Sequence, residues 1–127
     1  MPSPDARGRA FLVDDDDGFG KHLYIIISSQ CPKGRVLMVN ITTAYNVPEQ
    51  FSKCFIHPGE HPFIDHRSAI AYSRAKICSY SALEAGIRVG SILERDGISP
   101  ELLKRIQDGA INNDDLPIEC EEYIKYF

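Results

Sequence analysis

A β-rich α+β domain is what this sequence predicts: a small, mostly antiparallel β-barrel or sandwich followed by two or three helices. Three observations carry that prediction. Two short, β-branched apolar runs, 23–27 and 36–41, flank the Pro-x-Gly turn Cys31-Pro32-Lys33-Gly34. After residue 80 helix-capping patterns replace such runs. A chain of 127 residues, 43% hydrophobic and 25% charged, suits one domain with one buried core.

Residues 1–17 read as a flexible acidic arm, with Pro2 and Pro4 near its start and Asp14-Asp15-Asp16-Asp17 closing it. Within it Phe11-Leu12-Val13 has the composition of an edge strand. Residues 18–80 are the β-barrel. Its central pair is 23–29 against 35–41, antiparallel, with alternate side chains in one barrel core. The loop-rich stretch 43–62 holds Pro48, Pro58, Gly59 and Pro62, with Cys54-Phe55-Ile56 as a short strand. Ala69-Ile70-Ala71-Tyr72 and Ala75-Lys76-Ile77-Cys78 read as two more short strands. Residues 81–127 are a helical C-terminal extension packed on the barrel. Ser81-Ala82-Leu83-Glu84 has capping-box spacing and starts a helix to about Val89. Ser99-Pro100 pairs an N-cap with proline at the first helical position, and Leu102, Leu103, Ile106 and Ala110 follow at helical spacing. Pro117 opens a last segment whose Ile118, Tyr123, Ile124 and Phe127 supply an apolar face.

No window approaches ~18 consecutive apolar residues, so no membrane partner is expected. The N-terminus has no signal pattern, which points to the cytoplasm. Cys31, Cys54, Cys78 and Cys120 are widely spaced and form no CxxC, so they read as free thiols. Gly18-Phe19-Gly20-Lys21 is not a phosphate loop, because Asp15 stands where the first glycine belongs and His22 where Ser or Thr must meet magnesium. The aspartate run is not a calcium loop, since Ile26 takes the place of the bidentate glutamate. Cys54, His57, His61 and His66 lack the tight paired spacing of a zinc site. Neither a metal nor a cofactor is expected.

The net charge of −4 divides unevenly. Residues 18–80 carry +4, between −3 on residues 1–17 and −5 on residues 81–127. The middle is either an anion-binding face covered by acidic ends or a solvated surface. Its candidate chemistry lies in residues 59–74, which hold His61, His66, Arg67, Tyr72 and Arg74 among turn residues. RNA cleavage by 2′-hydroxyl attack needs a base, an acid and cations for the phosphorane. Histidine does the first two jobs, tyrosine substitutes as acid, and arginine does the third.

The pattern Lys21-His22-Leu23-Tyr24-Ile25-Ile26-Ile27-Ser28, a turn, then Arg35-Val36-Leu37-Met38-Val39-Asn40-Ile41-Thr42-Thr43 resembles the PemK/MazF-like toxins over about residues 18–80. The resemblance implies an SH3-like barrel and a metal-independent endoribonuclease of a toxin–antitoxin pair, with RNA as substrate and a cognate antitoxin as partner. It implies a basic residue opening the first strand and a hydroxyl ending the second. Lys21-His22 stands in the arginine's place, and Thr42 or Thr43 in the hydroxyl's. Lysine holds a phosphate as a point charge without arginine's fork. The expected site therefore joins His61, His66, Tyr72, Thr42 and Thr43 as catalytic groups to Lys21, Arg67 and Arg74 as phosphate binders. The alternative is a non-enzymatic module of the same fold docking RNA or an acidic protein. Oligomeric state is open.

Overall fold

The pleat of the two apolar runs sets the architecture. A computed structural model describes residues 5–14, 21–44 and 53–127, with the side chain of Lys21 left aside. The start of the expected arm, Asp15 to Gly20 and the loop around Pro48 lie outside the described residues. Six strands form one antiparallel sheet: β1 Ala10–Asp14, β2 Lys21–Ile26, β3 Arg35–Thr43, β4 Phe55–Ile56, β5 Ser68–Ser79 and β6 Leu93–Arg95. Their order is β4-β5-β3-β2-β1-β6, a curled half-barrel with β4 and β6 at its edges. The expected central pair is present, with Leu23 opposite Ile41 and Ile26 opposite Met38.

The alternation does not fill one barrel core, as the sequence suggested. Leu23, Ile25, Ile27, Leu37, Val39 and Ile41 bury on one face, while Tyr24, Ile26, Val36 and Met38 bury on the other. Helix α1, Tyr80–Arg88, places Leu83 in the second cluster. Helix α2, Pro100–Ala110, places Leu102, Ile106 and Ala110 in the first, beside Cys120 and Tyr123 of a 3-10 helix at Ile118–Tyr126. With both faces covered, neither phase of the pleat needs polar residues, so the strands read as unbroken apolar runs. Each fully buried Ile, Leu or Phe contributes ~1.5–3 kcal/mol over its exposed state.

Three local readings change. Phe11-Leu12-Val13 is no edge: β1 pairs with β2 on one side and β6 on the other. The α1 N-cap is Ser79, whose hydroxyl accepts from the Ala82 amide at 3.3 Å, two residues ahead of the expected Ser81. Glu84 is drawn away instead by Arg9, whose guanidinium also takes Glu94 and Tyr80. The two short strands at 69–78 are one strand. Met38 pairs with Lys76 and Asn40 with Ala71, so residues 72–75 stand opposite Val39 alone. Tyr72 keeps the inward phase of Ile70, and its hydroxyl donates to the Ile106 carbonyl at 2.7 Å; past the bulge the phase shifts, so that Ala75 and Ile77 pack on the same cluster. Ser99 caps α2 as expected, accepting from the Leu102 amide at 3.1 Å.

Candidate functional site

The end of β3 and the segment entering β5 meet at a cleft of about 240 Å³. Thr43 pairs with Ser68 and Thr42 with Ala69, and the Ala44 amide donates to the Arg67 carbonyl at 3.0 Å. That register sets His66 across from Thr43. The Ser68 hydroxyl donates to the His66 carbonyl at 3.1 Å, which fixes the turn. Leu23, Ile41 and Ile64 form apolar wall, and His22, Thr42, Thr43, Phe63, His66 and Ser68 supply the chemistry.

His66 sits in a hydrogen-bonded chain. Its Nδ1 lies 2.5 Å from Asp65 Oδ1 and its Nε2 3.0 Å from Thr43 Oγ1. A carboxylate only accepts, so Nδ1 carries the hydrogen and donates to Asp65, and Nε2 shares a hydrogen bond with the Thr43 hydroxyl. Asp65 is 86% exposed, so its contribution is to orient the ring rather than to add much energy. The ring is thus held between a carboxylate and a hydroxyl at the cleft.

His61, expected beside it, is elsewhere. It is 3% exposed and both its ring nitrogens are engaged. The Phe63 amide donates to Nδ1 at 3.0 Å, so Nε2 carries the hydrogen and donates to the Asp96 carbonyl at 2.5 Å. This ring clamps the loop to the segment after β6 and has no nitrogen left for proton transfer. Tyr72 is buried against α2, and burial pushes its phenol well above the ordinary value. Arg67 turns away: its guanidinium lies 4.0 Å over the Phe55 ring and donates to the Ala44 carbonyl. Arg74 is exposed in the β5 bulge and does not line the cleft. Lys21 opens β2 one residue before His22, and its side chain lies outside the described residues.

Thus Thr42, Thr43 and His66 come together at one cleft, which His61, Tyr72, Arg67 and Arg74 do not line. Asp65 and His22 also stand here, Asp65 against His66 and His22 in the cleft lining; the sequence names His22 only through the Lys21-His22 pair. The adjacency Asp65-His66 was the available signal for the first, and the period-2 phase of β2, which puts His22 beside the end of β3, for the second. A neighbouring cleft of about 190 Å³ shares Thr42 and Thr43 and adds Lys53 and Tyr72, so the expected tyrosine does meet the two threonines there. Among the described residues no group of three or more His, Cys, Asp or Glu is arranged to hold a metal ion, and none of the four cysteines is in a disulfide. Among them, too, no helix is long and apolar enough to cross a membrane. No family model matches the chain, and no curated protein matches it in sequence.

Proposed function

We propose that the protein is a PemK/MazF-like endoribonuclease on an SH3-like barrel scaffold, cleaving RNA without a metal and paired with a cognate antitoxin. The observation that supports this reading is the Asp65–His66–Thr43 chain in a cleft that also holds Thr42 and His22. His66 Nε2 takes the proton of a ribose 2′-hydroxyl that enters beside Thr43. The 2′-oxygen attacks the adjacent phosphorus and the P–O5′ bond breaks. The leaving 5′-oxygen takes a proton from His22, giving a 2′,3′-cyclic phosphate and a 5′-hydroxyl. Thr42 and Thr43 donate hydrogen bonds to the phosphate, and Lys53 of the neighbouring cleft supplies positive charge.

A second reading, a non-enzymatic module docking RNA or an acidic protein, is favoured by one fact. Among the described residues lining the His66 cleft there is neither lysine nor arginine. Incubating total RNA with the purified protein in EDTA separates the two. The nuclease reading expects fragments ending in cyclic phosphate, and none with His66→Ala. Intact RNA that is only retarded on a gel overturns it in favour of the binding module.

A further inference from the structure

Phe63 is 46% exposed and is the one aromatic among the exposed large apolar side chains of the described residues. It lines two clefts at once: the His66 cleft, and a wider one of about 530 Å³ formed with His61, Pro62, Glu94, Arg95 and Asp96. Its backbone is held on both sides. The Phe63 amide donates to buried His61, which is tied in turn to the Asp96 carbonyl, and the Ile64 amide donates to the His61 carbonyl at 2.9 Å. Ile64 itself is 6% exposed, and Pro62 restricts the backbone ahead of the ring. A ring kept at the surface by buried neighbours has little conformational freedom left to lose on binding.

The charge of the wider cleft says what belongs there. Arg95 is its one cation, against the carboxylates of Glu94 and Asp96, and Glu94 is already held by Arg9 through Nε at 2.9 Å and Nη2 at 3.0 Å. A phosphate gains little in such surroundings, whereas a neutral group rich in N–H donors finds an exposed acceptor in Asp96. We propose that Phe63 is a stacking platform for a nucleobase flanking the cleaved bond, and that the wider cleft reads that base as guanine. The base stacks on the ring, and guanine N1–H and N2–H₂ donate side by side to the Asp96 carboxylate. The proposal rests on the reading of the His66 cleft as an RNA site, and it gives the buried His61 a role as the positioning residue behind Phe63.

The test uses uncleavable 2′-O-methyl hexanucleotides of uridine carrying one central guanine, inosine or adenine, with affinity read by fluorescence anisotropy. Phe63→Ala should weaken binding of the guanine oligomer about 5- to 150-fold, and Phe63→Trp should restore it. Asp96→Asn should erase the preference for guanine over inosine, which lacks the 2-amino group, while the adenine oligomer keeps its affinity. Unchanged affinity in Phe63→Ala, loss not restored by Phe63→Trp, or an unmodified protein that binds none of the oligomers overturns the proposal. Cleavage of total RNA is scored separately. Cleavage with no effect of Phe63→Ala removes the platform alone, and a Phe63 effect without cleavage removes the nuclease reading alone.

Discussion

Two halves of one loop, residues 57–64 and 65–68, hold similar residue types and put them to opposite uses. In the first half Glu60 and His61 are tied to the scaffold. Glu60 takes the Arg105 guanidinium of α2 at 2.5 Å and the His57 amide at 2.7 Å, and His61 spends both ring nitrogens on backbone groups. In the second half Asp65 and His66 lean on each other and on the Thr43 hydroxyl at the mouth of a cleft. A histidine bonded to two backbone groups is a fixed strut. A histidine bonded to a carboxylate and a side-chain hydroxyl at a cleft is the one that the proposed mechanism uses, with a substrate hydroxyl in place of the second partner.

The sharpest way to break the comparison is to exchange the fates of the two rings. His66→Ala should lower RNA turnover by ~10²–10⁴ with the fold and the RNA affinity retained, as gel assays and circular dichroism will report. Asp65→Asn should cause a smaller loss, seen in turnover against pH, because the amide leaves the ring tautomer unfixed. His61→Ala should act on stability instead. It strands the Phe63 amide and the Asp96 carbonyl, at ~1–3 kcal/mol for each group that water fails to satisfy, measurable by urea denaturation. If His61→Ala is stable and inactive while His66→Ala is unstable and active, the assignment is reversed.

The smallest effect concerns pH. The hydrogen bonds from Arg105 hold the Glu60 carboxyl below its ordinary value of 4.5. The stability this contributes is fully present above that value and is lost as pH falls through the lower value of the folded state. Denaturation midpoints at about pH 6 and about pH 3.5 should therefore differ less in Arg105→Ala than in the unaltered protein. Equal pH sensitivity in both would show that the Glu60–Arg105 bridge does not anchor the first half of the loop. The bridge is partly exposed, so the difference will be modest.

Local patterns in the chain determined a good part of this structure. The hairpin of β2 and β3 follows from two apolar runs and a turn, and the start of α2 from Ser99-Pro100, because those signals act within a few residues. The packing of Leu102, Ile106 and Tyr123 on the sheet was legible for the same reason. Thr42, Thr43 and His66 were legible as residue types. Their meeting was decided only by the pairing of β3 with β5, which brings Thr43 opposite Ser68 across 25 positions of sequence. Tertiary structure likewise decided that both sheet faces are buried, that β1 is an interior strand, and that the Tyr72 hydroxyl is spent on the Ile106 carbonyl. The physical reason is the same each time. A side chain's type is local, but the partner that takes its hydrogen bond or excludes its water is supplied by strands and helices distant in sequence.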